Sequence, residues 1–228
     1  MKLEHVAFLG RTYAEYIDMF NLDEVLLGEG TILDCPAGPS SFAAEAHAKG
    51  HKVIASDILF EEDISALKSR FQKDFARIFD TFDEVEHRFT WDYYGDKERV
   101  IALRRKAMET FLADFPKGKQ EGRYIEQGLP KLPFADGEFR LVLSGHFLFL
   151  YEQWISLETH MEYIRELLRV SSGEVRIFPL MTLEGSEYDY LSYVLNTFRD
   201  EGVAAEIDPV KLEFMRGGNQ MLRLMKEK

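Results

Sequence analysis

Residues that could bind a polar ligand stand at the ends of two apolar runs, each of which is predicted to be a buried strand. The first run ends at Asp34 and is followed by a tight turn at residues 35–38, and the second run ends at Asp57. Gly38 has no side chain, so the backbone of the turn can approach a ligand closely. An ionised carboxylate accepts two hydrogen bonds, so Asp57, about 20 residues beyond the turn, suits the two hydroxyls of a ribose. Alternatively, Asp57 caps the next segment and Asp34 stabilises the turn.

A histidine, His146, follows a third apolar strand at residues 141–144. A neutral imidazole accepts a proton near pH 7, so His146 is a candidate general base at that strand end. The alternative is a histidine that packs among the neighbouring aromatic residues Phe147, Phe149 and Tyr151. The other histidines do not have the spacing of metal ligands, and no metal site is predicted.

The composition narrows the class of protein. The chain has 228 residues, of which 46% are hydrophobic and 30% charged, as is typical of one globular domain or of one domain with a large insertion. Its net charge of −12 disfavours a nucleic-acid partner. The single cysteine, Cys35, excludes an internal disulfide and a cysteine-based zinc cluster. No stretch approaches the roughly 18 apolar residues of a membrane span, so we expect a soluble, cytoplasmic protein without a membrane partner.

Alternating strands and helices must position these residues. Residues 31–35 and 52–57 are predicted strands, and the helix between them, at residues 42–49, is capped by Ser40 or Ser41 and ended by Gly50. Strand, helix, strand is a βαβ unit with a right-handed crossover. The same alternation returns after residue 122, with strands at 123–126, 141–144 and 174–180 and helices at 152–170 and 188–198.

Residues 59–122 interrupt this alternation. Apolar residues recur there at intervals of three and four and predict two helices, the second of which ends at Pro116. An aromatic turn containing Trp91, Tyr93 and Tyr94 separates them. Because one crossover helix needs far fewer residues, we interpret the segment as a helical insertion over one edge of the sheet. The aromatic turn lines an acceptor pocket, forms the core of the insertion or makes a dimer contact.

The end of the chain has a different pattern. Residues 204–214 and 220–225 predict two strands joined by a Gly-Gly turn, which is an antiparallel hairpin at the end of an otherwise parallel sheet. Pro209 cannot donate a hydrogen bond to a neighbouring strand, so its strand should lie at the sheet edge or at a bulge.

Four of these stretches together resemble a known family. Residues 32–40, ILDCPAGPS, resemble the first motif of class I S-adenosylmethionine-dependent methyltransferases, and Asp57 stands where that family places its ribose-binding acid. Residues 132–144, LPFADGEFRLVLS, are similar to the family's segment leading into strand four, and the hairpin is similar to its reversed seventh strand. The resemblance implies an α/β fold with a Rossmann-like sheet of seven mostly parallel strands, an antiparallel last strand and a helical insertion between strands 2 and 3.

The resemblance also implies a set of cofactor-binding residues. The methionine part of S-adenosylmethionine would meet the backbone of the turn, and the adenine would meet the backbone at Gly128 and Leu129. The whole set comprises Arg11, Tyr13, Tyr16, Asp34, Cys35, Pro36, Ala37, Gly38, Asp57, Ile58, Gly128, Leu129 and Ser144. The chain differs from the family in having one glycine in the turn and Arg140 where an aspartate is frequent.

Residues 1–29 are predicted to be a helical N-terminal segment. A capping box predicts a helix that begins after Thr12. This helix either docks through its aromatic face or forms a lid, in which Arg11 pairs with the cofactor's carboxylate and Tyr13 or Tyr16 contacts the cofactor.

Taken together, the residues predict an S-adenosylmethionine-dependent methyltransferase with a small-molecule acceptor. It would form a single domain over residues 1–228, with residues 59–122 as a candidate cap over the acceptor. The alternative is a non-catalytic protein that binds S-adenosylmethionine or S-adenosylhomocysteine in the same pocket. A nicotinamide-dependent oxidoreductase is disfavoured because the chain lacks G-x-G-x-x-G. The acceptor, the methylated atom and the oligomeric state, homodimer included, are not determined by the sequence.

Overall fold

Seven strands form one sheet in the computed structural model, which describes residues 5–226. The strands are β1 (Ile32–Asp34), β2 (Val53–Ser56), β3 (Tyr124–Ile125), β4 (Phe139–Gly145), β5 (Ser171–Phe178), β6 (Val203–Pro209) and β7 (Gln220–Lys226). The helices are α1 (Tyr13–Phe20), α2 (Glu24–Gly28), α3 (Phe42–Ala48), α4 (Ile64–Asp80), α5 (Lys97–Gln120), α6 (Leu157–Val170) and α7 (Leu191–Asp200). Four short 3₁₀ helices lie at Ile58–Glu61, Phe82–Glu84, Glu86–Arg88 and Phe149–Trp154.

The strand order is β3-β2-β1-β4-β5-β7-β6. The first five strands in this order are parallel, whereas β7 is antiparallel to both β5 and β6. The predicted α/β sheet of seven strands with a reversed last strand is therefore confirmed, and Pro209 lies on the edge strand β6, as predicted. The direction of the crossovers changes between β1 and β4, and ligands of such sheets bind beyond the carboxyl ends of the strands at this point.

Alternating side chains of the central strands pack against helices on the two faces of the sheet. Ile32 belongs to an apolar cluster with Phe42 of α3 and Phe111 of α5. The next residue, Leu33, belongs to a second cluster with Ile164 of α6. Because both faces are covered, β1 is fully buried, as its uninterrupted apolar sequence predicts.

The long connection between β2 and β3 contains α4 and α5. The prediction that the second helix ends at Pro116 is wrong, because α5 continues to Gln120. Packing explains the continuation: Phe115 and Gly118 are buried, and a Cβ at Gly118 would lie 2.3 Å from the Tyr124 ring. This close contact with β3 outweighs the loss of one helical hydrogen bond at the proline.

Other details of the prediction also differ from the structure. The helix predicted over 152–170 begins at Leu157, because the Ser156 side chain accepts a hydrogen bond from the Thr159 N–H at 3.2 Å. Ser41 precedes α3 as predicted, but its hydroxyl donates to Glu45 at 2.5 Å and makes no capping bond. In the hairpin, β6 ends at Pro209 and β7 begins at Gln220, so residues 210–219 form a long connection in place of the predicted short turn.

The N-terminal segment contains the predicted capping box. The Thr12 hydroxyl accepts from the Glu15 N–H, and the Glu15 carboxylate accepts from the Thr12 N–H. The predicted segment 1–29 and the predicted domain 1–228 also include residues 1–4 and 227–228, which lie outside the described residues. No helix within residues 5–226 is long and apolar enough to span a membrane.

Candidate functional site

A cavity of about 420 Å³ lies at the carboxyl ends of β1, β2, β4 and β5. Nine of the residues predicted for the site line it: Arg11, Pro36, Ala37, Gly38, Asp57, Ile58, Gly128, Leu129 and His146. Tyr13, Tyr16, Asp34, Cys35 and Ser144 are not among the lining residues. Within residues 5–226, no group of three or more His, Cys, Asp and Glu side chains could hold a metal ion.

Asp57 joins the turn after β1 to the segment after β2. Its two carboxylate oxygens accept hydrogen bonds from the Gly38 N–H at 2.8 Å and from the Leu59 N–H at 2.9 Å. Gly38 has a φ of +52°, which a glycine adopts without strain. Burial raises the pKa of Asp57, and the two backbone bonds oppose this shift. Each carboxylate oxygen has two acceptor positions, so Asp57 can still accept from a ligand.

Ile58 and Gly128 form an apolar surface beside Asp57. The Ile58 side chain is 62% exposed, which is unusual for a large aliphatic residue, and it lines the cavity. A Cβ at Gly128 would lie 2.8 Å from the Ile58 Cγ2 atom. Gly128 therefore packs directly against Ile58, and a side chain at residue 128 would displace Ile58 from its place in the lining. We call residues 36–39, Asp57, Ile58, Gly128 and Leu129 the Asp57 end of the cavity.

Asp34 is occupied by neighbouring side chains instead of lining the cavity. Its carboxylate accepts from the Tyr16 hydroxyl at 2.9 and 3.1 Å and from the Ser40 hydroxyl at 3.2 Å. Complete burial raises the pKa of Asp34 to about 7, against the lowering effect of these hydrogen bonds. The docking of α1 on the turn therefore explains why both Asp34 and Tyr16 are withheld from the cavity.

The raised pKa of Asp34 predicts a dependence of stability on pH. The folded chain keeps the proton that the unfolded chain releases above pH 4, so stability falls as pH rises towards 7. The expected loss between pH 5 and pH 7 is roughly 2 kcal/mol. In Asp34→Asn this contribution should vanish, because the amide does not titrate. Urea unfolding of both proteins at pH 5 and pH 7 measures the difference, and parallel changes in the two proteins would contradict the prediction.

Three further predicted residues are buried and do not line the cavity. Tyr13 stacks on Phe42 of α3 with ring centroids 5.8 Å apart. Cys35 is a buried free thiol whose pKa is raised by burial, so it is not an activated nucleophile. The Ser144 hydroxyl is buried without a hydrogen-bond partner among the described residues.

His146 lies at the end of β4 and lines the cavity. Its φ of +54° is rare for a residue with a side chain. The Phe178 carbonyl accepts from the His146 N–H at 2.6 Å, and the two rings meet edge to face. Burial, followed by the charges of Arg11 and Arg104, lowers the pKa of His146, so the imidazole is neutral at pH 7.

Two arginines line the cavity near His146, the half-buried Arg11 and the buried Arg104, and the sequence predicted only Arg11. Arg104 of α5 pairs with Glu15 and donates to the Gly10 carbonyl at 2.7 Å. The Tyr94 hydroxyl donates to the same carboxylate. A signal for Arg104 existed, because it falls on the apolar stripe of Val100, Ala107 and Phe111, where a charged residue must be buried. We call Arg11 and Arg104 the arginine pair.

Aromatic residues form the other end of the cavity. Phe214, from the connection between β6 and β7, lies 4.5 Å from Phe89 and 6.0 Å from Phe82 between ring centroids. The Thr90 N–H donates to the Phe214 carbonyl at 2.8 Å and fixes this connection to the segment before α5. We call Phe82, Phe89 and Phe214 the aromatic wall. Of the predicted aromatic turn, Tyr94 lines the cavity and Trp91 packs against the wall.

The N-terminal segment passes directly over the turn after β1. Residues 5–9 and Arg11 line the cavity, and the Ala7 N–H donates to the Tyr151 hydroxyl at 3.1 Å. At Gly10 the two backbones touch, and an added Cβ would lie 2.0 Å from the Pro39 carbonyl oxygen.

This contact predicts the effect of Gly10→Ala. The methyl group must push the two backbones apart, which should lower the free energy of unfolding by about 1–3 kcal/mol. Gly28→Ala is the matched control, because a Cβ there meets no atom within 4 Å. Thermal unfolding should separate the two variants, and equal melting temperatures would contradict the contact.

Comparison with known proteins identifies a relative by sequence and a protein of similar fold by structure. The chain is 34% identical over 223 residues to an uncharacterized protein, MJ0045, from Methanocaldococcus jannaschii, and the alignment covers 97% of each protein. Its structure is similar to that of magnesium protoporphyrin IX methyltransferase from Synechocystis PCC 6803 with bound SAM, with a TM-score of 0.50 and 11% identity. That similarity covers 94% of this chain and 78% of the other and, at this identity, shows the fold alone. No protein-family model matches the chain.

Proposed function

Since the chain belongs to the family of MJ0045 and has the fold of S-adenosylmethionine-dependent methyltransferases, we propose that it transfers a methyl group from S-adenosylmethionine to a small molecule. The observation that carries this proposal is the Asp57 end of the cavity. There Asp57, held by two backbone N–H groups, retains free acceptor positions beside the apolar surface of Ile58 and Gly128.

The residues at this end fit the parts of the cofactor. Asp57 would accept from the ribose hydroxyls, and the adenine would pack against the surface of Ile58 and Gly128. The backbone of residues 36–38 would run beside the methionine part. S-adenosylmethionine supplies the methyl group on a sulfonium, which makes transfer an in-line displacement whose main demand on the protein is positioning.

The opposite end fits an acceptor. The aromatic wall offers flat apolar surfaces, which bind organic rings well. Phe82 and Phe89 belong to the segment 59–122, which supports its assignment as a cap over the acceptor. The N-terminal segment would act as a lid, since residues 5–9 line the cavity and a lid excludes water from the reaction.

His146 would accept the proton that a protonated acceptor loses. Its imidazole is neutral at pH 7 and therefore has a free acceptor nitrogen. The same lowered pKa makes it a weak base, and this observation favours a second candidate function, a protein that binds S-adenosylmethionine or S-adenosylhomocysteine without catalysis. Release of S-adenosylhomocysteine in the presence of an acceptor panel distinguishes the two candidates.

Calorimetric titration tests the cofactor. We expect micromolar binding of S-adenosylmethionine and S-adenosylhomocysteine and no binding of NADH, because the turn at residues 35–38 lacks the several glycines that a pyrophosphate requires. Binding of NADH alone would favour the oxidoreductase. If none of the three binds, the proposed cofactor is wrong, and so is the proposed function.

A further inference from the structure

The arginine pair shares a single carboxylate. Arg104 is 2% exposed and pairs with Glu15, while the Nε atom of Arg11 lies 4.0 Å from the same carboxylate. Arg11 otherwise donates to backbone carbonyls, at 3.1 Å in the case of Leu9. Both Nε atoms are buried and have no hydrogen-bond partner among the described residues. Both arginines line the cavity, so a ligand there could satisfy them.

The charges around the pair do not balance. Glu15 supplies one negative charge against two guanidiniums, which stay protonated in proteins. Asp57 is the one acidic residue among the described residues that line the cavity, and its oxygens already accept from the Gly38 and Leu59 N–H groups. Asp74 binds His5 and the Phe8 N–H at 2.8 Å each. An unbalanced positive charge in apolar surroundings is costly, and a ligand with one negative charge would compensate it.

The arginine pair adjoins the aromatic wall through Tyr94. The Arg104 guanidinium carbon lies 5.9 Å from the centre of the Tyr94 ring. That ring meets Phe214 edge to face at 5.0 Å. A ligand that contacts both the pair and the wall must therefore join a flat apolar body to an anionic group.

We propose that the methyl acceptor is an aromatic carboxylate. Its carboxylate pairs with Arg11 and Arg104, whose planar forks match carboxylate geometry, and its ring packs against the aromatic wall. The inference rests on the proposed function, because it assigns the Asp57 end of the cavity to S-adenosylmethionine. A carboxylate also occurs in the methionine part of the cofactor, and the test separates these two sources.

A matched pair of probes tests whether the cavity prefers a negatively charged ligand. We would titrate the protein with 2-naphthoate and with 2-naphthamide, which have the same ring but differ in charge, with and without saturating S-adenosylhomocysteine. We expect naphthoate to bind about 10-fold more tightly or better. Arg11→Met should abolish the preference, whereas Arg105→Met, an exposed arginine one residue beyond Arg104, should retain it.

Arg104→Met should also abolish the preference. In this variant the Glu15 carboxylate still accepts hydrogen bonds from Thr12 and Tyr94. Thermal unfolding checks that the variant folds. If it does not fold, Arg11→Met decides alone.

Each other outcome has a distinct meaning. Equal binding of naphthoate and naphthamide to the unaltered protein would overturn the proposal. So would an Arg11→Met variant that binds S-adenosylhomocysteine more weakly but 5′-methylthioadenosine unchanged, because the arginine would then serve the cofactor's own carboxylate. Failure of the proposed function is separate, because it appears as absent binding of S-adenosylhomocysteine to the unaltered protein.

Discussion

Asp57→Ala is expected to weaken the binding of S-adenosylhomocysteine about 100-fold, which corresponds to about 2.8 kcal/mol. The substitution removes the carboxylate that would accept charge-assisted hydrogen bonds from the ribose hydroxyls. It also removes the hydrogen bonds from the Gly38 and Leu59 N–H groups, which fix the turn against the segment after β2. Calorimetric titration of the variant measures the effect, and 5′-methylthioadenosine, which has the same ribose, should weaken in parallel.

The control for Asp57→Ala is Asp80→Ala. Asp80 is exposed and ends α4, where a negative charge does not favour the helix, so its loss should change neither affinity nor stability. Unaltered affinity in a folded Asp57→Ala protein would show that Asp57 acts only as a structural link between the two loops.

His146→Asn is expected to lower turnover about 100-fold while the affinity for S-adenosylhomocysteine stays the same. Asparagine tolerates the left-handed backbone that His146 adopts, so the change removes the base with little strain. Release of S-adenosylhomocysteine with an active acceptor is the measurement. Because the pKa of His146 is lowered, the turnover of the unaltered protein should stay constant from pH 8 to pH 6.5 and fall only at lower pH, where the imidazole gains a proton.

His87→Asn provides the matched control, because His87 is exposed and does not line the cavity. Turnover that is equal in the His146 and His87 variants would assign His146 to packing against Phe178. The non-catalytic alternative would then gain support.

Local patterns predicted the sheet well because the strands are short, apolar and bounded by turns. The periodicity around β1, α3 and β2 places Asp57 and Gly38 at neighbouring strand ends, and the structure brings these residues within hydrogen-bond distance. Docking of α1 through its aromatic face was one of the two predicted alternatives, but the pattern could not reveal that Tyr16 donates to Asp34, because that contact depends on tertiary packing.

The part of the cavity around the arginine pair and the aromatic wall was not predictable for a related reason. Phe214 is more than 100 residues away in the sequence from Tyr94 and Arg104, and no short-range spacing relates it to them. Because Arg104 lies on the apolar stripe of α5, the sequence indicated that its buried charge must have a partner. The sequence could not identify Glu15 as that partner.

The connection at residues 210–219 has a consequence for the order in which the site is assembled. It supplies Leu212, Phe214, Met215 and Gly218 to a cavity whose other walls come from earlier parts of the chain. During synthesis from the N-terminus, the loops that hold Gly38 and Asp57 can therefore form well before the aromatic wall is complete. In a growing chain the Asp57 end of the cavity would form first, and the cavity would close only after residues 210–219 have left the ribosome.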